Sequence, residues 1–159
     1  MGRLINLYNK IKALDTDKIC VDVIVENKDE LLALNKEQLL EGKNNEGGDM
    51  PSYLNDPYFK SLKSAQAYSD WKDEITPNPK RKKGVMNLFI VGTYHDSIEL
   101  TIEGLKINYQ ASFLGPEIES KHPNIYGLGP EKRIEYKEKF TLPVFKKKME
   151  KATGLKFKK

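Results

Sequence analysis

Ile98-Glu99-Leu100-Thr101-Ile102-Glu103-Gly104-Leu105-Lys106-Ile107-Asn108-Tyr109-Gln110 alternates apolar and polar residues, pauses at Glu103-Gly104, and alternates again. A period of two puts successive side chains on opposite faces of an extended chain, so each half reads as a strand with one apolar face. Glu103-Gly104 makes the tight turn, and residues 98–110 form a β-hairpin. Ile98, Leu100 and Ile102 face one side, and Leu105, Ile107 and Tyr109 face inward from the partner strand. Just upstream, Asn87-Leu88-Phe89-Ile90-Val91 turns the chain toward sheet and leads into Gly92-Thr93-Tyr94-His95-Asp96-Ser97, which fits either a strand or a helical turn.

Working outward, both flanks read as helix. Leu4, Leu7, Tyr8, Ile11 and Leu14 recur at helical spacing, giving an amphipathic helix over 3–14. Asp15-Thr16-Asp17 supplies an N-cap for a second helix over 17–41. Val21, Val23, Ile24 and Val25 are β-branched and also suit a strand. The continued pattern through Asp29-Glu30-Leu31-Leu32-Ala33-Leu34 favours helix, and Gly42 is a natural residue just past its end. Beyond the hairpin, Ser112–Pro116 opens a short helical piece. Residues 123–129 then form a loop with buried aromatics, and Pro130 begins a final helix to about 153. Pro143 marks a kink or break in it.

Residues 42–86 interrupt this pattern. They form a polar, Pro- and Gly-punctuated excursion far longer than an ordinary connection, whose median is about 4–6 residues. Only Ser64–Lys72 reads as helix, within a short helix over 63–74 ended by Thr76-Pro77-Asn78-Pro79. Tyr53, Tyr58, Phe59, Tyr68 and Trp71 are its aromatic residues and the candidate partner interface. Aromatics in a polar arm dock either on a neighbouring surface or on their own domain. Lys80, Arg81, Lys82 and Lys83 form a basic loop that reads as a DNA-facing or partner-facing patch, or as a solvated tip.

The composition, 38% hydrophobic and 31% charged, allows a single domain over 1–159 with a thin core and long surface elements. Residues 1–78 carry 10 Lys/Arg and 14 Asp/Glu, and residues 79–159 carry 17 and 9, so the halves stand at −4 and +8. Such asymmetry fits nucleic-acid binding, head-to-tail association, or two solvated faces. No run of about 18 apolar residues occurs, and Met1-Gly2-Arg3-Leu4 begins an amphipathic pattern rather than a signal peptide, so a soluble intracellular chain with no membrane partner is expected.

Catalytic patterns are weak. Cys20 is the only cysteine, which excludes an intrachain disulfide, and reads as a small apolar residue on a helix face. His95-Asp96 and His122 lack acid, base or thiol partners at working spacing. Glu131, Glu135 and Glu138 interleave with Lys132, Lys137 and Lys139, as on a salt-laced exposed helix. No P-loop, dinucleotide fingerprint or hydrolase elbow occurs, so no enzyme, metal or cofactor is expected.

Four segments resemble the small neck and tail-completion proteins of tailed bacteriophages, most of all those of crAss-like phages. They are LNKEQLLEGKNNEGGDM at 34–50, YFKSLKSAQAYSDWKDEITPNP at 58–79, NLFIVGTYHDSIEL at 87–100, and the closing IYGLGPEKRIEYKEKFTLPVFKKKMEKATGL at 125–155. In that family a long helix ends in Asn-x-x-Gln-Leu-x-x-Gly, a Tyr-containing arm follows, and Asn-Leu-Phe-x-x-Gly leads into a hairpin. Asn87, Leu88, Phe89, Gly92, Tyr94 and Ser97 match that last pattern. His95-Asp96 departs from the Asp-Phe or Asp-Tyr pair of the family. The resemblance implies an α+β subunit, a small antiparallel sheet flanked by N- and C-terminal helices with a long ordered arm over 42–86. It also implies a homo-oligomeric, dodecameric ring around the DNA channel, which meets the portal and other neck and tail rings in the virion after assembly in the host cytoplasm. The alternative reading is a basic nucleic-acid-binding protein using Lys80–Lys83 and the C-terminal lysines. A small hydrolase or nuclease built on His95 and His122 has the least support.

Overall fold

The structure, a computed structural model, describes residues 2–157, except for the Arg3 side chain; Lys158 and Lys159 of the basic C-terminus lie outside the described residues. The class is α+β. Helix α1 spans Gly2–Lys12 and α2 spans Thr16–Glu26, the latter capped where expected: Asp15 Oδ1 accepts from the Lys18 backbone N at 2.9 Å. The expected continuous helix over 17–41 is instead two helices, with α3 over Lys28–Leu40. The break falls at Asn27. Its side-chain amide donates to the Val23 carbonyl at 2.7 Å, and its own carbonyl accepts from the Tyr136 hydroxyl at 3.0 Å. An Asn that satisfies the preceding turn with its side chain offers the backbone an alternative to the helix ladder.

Gly42 ends α3 with φ +68°, as its position predicts. A β-carbon there would lie 2.8 Å from Val85 Cγ1, so the glycine is also needed for close packing of the returning chain. The excursion then passes through a single 3₁₀ turn at Tyr53–Asn55 into α4, Leu62–Ile75, whose Ser61 Oγ accepts from the Ser64 N at 3.2 Å. A one-turn helix, α5, covers Thr93–Asp96 and resolves the strand-or-turn ambiguity there. The stretch before it is not sheet. Asn87 Oδ1 accepts from the Phe89 N, and the Lys72 ammonium donates to the Phe89 carbonyl, so side chains take the backbone groups a strand would pair.

Strands β1, Ile98–Glu103, and β2, Lys106–Ala111, form the expected hairpin, with Ile98 opposite Ala111, Leu100 opposite Tyr109 and Ile102 opposite Ile107. The turn is Gly104-Leu105, one residue later than the alternation indicates, so Leu105 is 58% exposed and Ala111 takes an inward place. Helix α6 spans Gly115–Lys121 and α7 spans Pro130–Tyr136. A π-helical turn over Lys137–Thr141 separates α7 from α8, Leu142–Thr153, placing the discontinuity directly before Pro143. A proline cannot donate to the preceding turn, and the wider π register accommodates the gap.

The core lies around α3. Leu39 packs with Met50, Tyr53, Val85, Met86, Tyr94, Ile98 and Ile125, while Leu31 and Leu34 pack with Leu100 and Leu128. Four members of the first group belong to the excursion, so residues 42–86 fold back into their own domain instead of leaving it. A second bond set closes the core from the other side. Asn35 and Gln38 donate to the Gly127 carbonyl at 3.0 and 3.1 Å, and Gln38 Oε1 accepts from the Gly129 N at 2.6 Å. Both amides pair the loop backbone, Gln38 through both of its polar atoms, while the buried Asn35 Oδ1 has no hydrogen-bond partner among the described residues.

Candidate functional site

The five aromatics named from the sequence form one continuous ridge running from core to solvent. Tyr53 is buried and meets Tyr68 edge-on at 5.2 Å; Tyr68 contacts Phe59 at 5.1 Å and Trp71 at 5.5 Å; Phe59 contacts Tyr58 at 5.4 Å. Such offset and edge contacts add to plain burial. The two ends differ. Tyr53 donates to Asn87 Oδ1 at 3.4 Å, and burial pushes its hydroxyl up to about 12, so it pins the excursion to the body. Tyr58 is 81% exposed, and Trp71 and Ile75 are also open, so the outer end of the ridge presents an apolar edge without a partner. Tyr53 is therefore corrected from interface candidate to core residue, because it fills the gap between α4 and the 85–87 segment.

In the basic loop the correction falls on Arg81. Arg81 is buried: its guanidinium donates to the Val85 carbonyl at 2.7 Å and the Thr76 carbonyl at 3.0 Å, and pairs with Asp73 at 2.9 Å. Lys80 lies 2.8 Å from Glu41 and 3.2 Å from Glu37, and Lys82 pairs with Asp49. The charges register this pairing. Lys132 and then Lys80 hold Glu37 below the ordinary carboxylate range, Lys43 and then Lys82 do the same for Asp49, and Glu41 with Glu37 raises the Lys80 ammonium. Lys80, Lys82 and Lys83 are exposed, and of these Lys83 makes no ion pair among the described residues. A run of like charges in sequence is thus a clasp in space, tying the loop to α3 and to Asp49.

His95 is buried in the same region. Its Nε2 shares a 3.0 Å hydrogen bond with the Asn87 carbonyl, its ring stands edge-on to Phe89 at 5.3 Å, and burial pushes its pKa down. Asp96, its sequence neighbour, is exposed, so the two do not form a working pair. His122 lines a separate depression with Asp56 and Tyr58, where burial also lowers it. Among the described residues, no cluster of three His, Cys, Asp or Glu side chains could hold a metal ion, and no helix is long and apolar enough to cross a membrane.

Sequence reasoning missed Lys72. It is 1% exposed, the largest fully buried side chain, and burial followed by the nearby Arg81 lowers its pKa to about 8. A signal was present: Ala65, Ser69, Lys72 and Thr76 recur at helical spacing along the buried face of α4. Also missed was the fate of α1. Its amphipathic pattern is real, yet Leu4, Ile5, Tyr8 and Ile11 all face solvent, Leu4 at 75% exposure. Comparison with family models, characterised proteins and solved structures finds no match.

Proposed function

We propose that the chain is a non-enzymatic structural subunit of a tailed-phage virion, forming a ring in the neck or tail that joins the portal to the tail around the DNA channel. The observation that carries this reading is apolar surface left without a partner at two separate places, the α1 stripe and the Tyr58–Trp71 edge. Contiguous apolar surface of this kind marks association. Two unlike patches on one chain favour a heterologous contact, in which one face of a subunit meets a different face of the next, and such contacts close into rings when the rotation permits. The charge difference between the halves supports the same polarity of assembly.

Light scattering over a concentration series, alone and with a portal ring, tests the reading. A defined ring mass, or recruitment of single chains onto the portal, is expected. A chain that stays monomeric and ignores the portal overturns it. Deleting residues 45–60 is a poor probe, since it removes Met50 and Tyr53 from the core; Tyr58→Ser with Trp71→Ser tests the ridge without that damage.

The nucleic-acid reading keeps one supporting observation. Lys83, Lys147, Lys151 and Lys156 are exposed. Charge reversal at these four, rather than at Arg81, is the test, and the reading requires DNA affinity that falls steeply with salt.

A further inference from the structure

We propose that the outer edge of β2 is a docking site for an extended peptide segment of a partner chain, apolar at alternate positions and carrying a carboxylate that meets Arg133. The contact stands apart from the ring reading, which rests on α1 and the Tyr58–Trp71 edge. The sheet has two strands, and the Ser112 N donates to the Ser97 carbonyl at 3.3 Å just beyond it. That bond and the register put the ladder bonds on Glu99 with Gln110, Thr101 with Asn108 and Glu103 with Lys106. Bonded and non-bonded pairs alternate in an antiparallel ladder, so Ile107 and Tyr109 turn their N–H and C=O groups away from β1. Among the described residues no backbone group outside the hairpin reaches them. The opposite edge is closed: Ile98 and Leu100 of β1 are 1% and 2% exposed, and α3 packs against that strand. An open edge of this kind is a template for another strand.

Ile107 and Tyr109 also line a hollow of about 500 Å³, whose apolar wall continues through Ile24, Leu31, Leu128 and Tyr136. A strand added to β2 places every second side chain on the face that Ile107 and Tyr109 occupy, and so in the hollow. Backbone bonds then give affinity, and the hollow selects the side chains.

Charge selects the occupant. Arg133 is the one charged residue lining the hollow among the described residues. Its Nε donates to the Leu128 carbonyl at 2.5 Å and its Nη2 to the Asn45 carbonyl at 3.3 Å, which holds the guanidinium in place. Nearby acids are engaged elsewhere. Glu135 pairs with Lys132 and Lys139, and Glu119 accepts from the Tyr126 hydroxyl. Glu30 stands by Tyr136, whose hydroxyl is pushed up to about 12 by burial and then by that carboxylate. A held guanidinium with N–H groups to spare takes a carboxylate. Lys106, exposed on β2, adds the same sign. The alternating tail Leu155-Lys156-Phe157 of this chain carries lysine instead, and a second copy's β2 contains no acid.

The test uses the full chain and fluorescein-labelled, amidated peptides Glu-Thr-X-Thr-X-Thr-Glu, with valine, leucine or phenylalanine at X. In an extended chain the glutamates share a face with the X residues. Fluorescence polarisation should show saturable binding of at least one peptide, weakened about tenfold when lysines replace the glutamates. Arg133→Glu should reverse that preference. N-methylation of alternate residues blocks one side of an extended backbone. Of the two forms, methylated at X or at the threonines, one should lose binding and the other keep it. Hydrogen exchange at the Ile107 and Tyr109 amides should slow when the peptide saturates the chain. These peptide arms use the natural chain, so they stand even if Arg133→Glu unfolds. No saturable binding by any of the three peptides overturns the proposal. Equal loss from both methylated forms, unchanged exchange at Ile107 and Tyr109, or indifference to the lysine swap overturns it as well. Amides already protected in a chain of twice the monomer mass would give the edge to a second copy and overturn it too. A chain that ignores the portal and forms no ring overturns the ring reading alone.

Discussion

Residues 42–86 and helix α1 use polarity in opposite ways. The excursion is polar, rich in turns and lacks strands, yet it contributes Met50, Tyr53, Val85 and Met86 to the core. Helix α1 has the regular apolar stripe of a helix that covers a core, yet the stripe faces solvent. The difference lies in which groups find partners inside the chain. Arg81 donates to the Val85 and Thr76 carbonyls, and the Thr76 hydroxyl donates to the Lys72 carbonyl, so these backbone groups of the excursion are paired where they are buried. Leu4, Ile5, Tyr8 and Ile11 of α1 meet no such complement among the described residues, and in the ring-subunit reading proposed above they find it on another chain. Burial follows satisfied contacts, and composition is a poor guide to it.

Breaking the internal clasp has the largest expected effect. Arg81→Met leaves Asp73 unpaired and two carbonyls without donors, and should cost about 3–5 kcal/mol in chemical denaturation. An unchanged midpoint would mean that the clasp does not hold the excursion. Gly42→Ala comes next: positive φ together with the 2.8 Å approach to Val85 predicts a loss of about 1–3 kcal/mol.

Lys72 sharpens the comparison through pH. Its folded pKa, about 8, lies below the ordinary lysine value of 10.5. Between those values the unfolded chain holds a proton that the folded chain has released, so stability rises with pH across the window, by at most about 1.4 kcal/mol per pH unit. Below about pH 8 the burial penalty is fully present. Lys72→Met removes this rise. Thermal midpoints of the two proteins compared between pH 8 and 9.5 should converge from the low-pH side, and parallel curves would refute the buried ammonium.

The smallest effect on stability is expected at α1. Leu4→Ser with Tyr8→Ser should change the unfolding free energy by no more than about 0.5 kcal/mol per site, since both side chains are already in water. The same change should lower the mass of any assembly seen by light scattering. A large loss of stability would show that α1 is covered within the monomer.

Much of this was legible in the sequence. The hairpin, the Asp15 cap, the Gly42 terminus, the Ser64–Lys72 helix and the discontinuity at Pro143 follow from local periods and from the special backbone demands of Gly, Pro and Asp. The Asn27 break was not, because it depends on Tyr136, which is distant in sequence and seizes the Asn27 carbonyl. Among the site residues, the aromatic set emerges as one ridge, while its split into a buried Tyr53 and an exposed Tyr58 depends on where Asn87 and α4 lie. The basic run is easily seen in the sequence, but its neutralisation by Glu37, Glu41, Asp49 and Asp73 requires partners from three other segments.

Local sequence sets most of the elements: the Asp15-capped start of α2, the end of α3 at Gly42, the α4 helix, the alternation in the hairpin, and the apolar stripe of α1. Those properties arise from interactions within a few residues of one another. Tertiary structure alone decided that the polar excursion is core, that three of the four basic loop residues are engaged, and that the α1 stripe is left facing solvent. Each of these depends on which distant groups meet, and on whether a buried donor or charge finds its complement there.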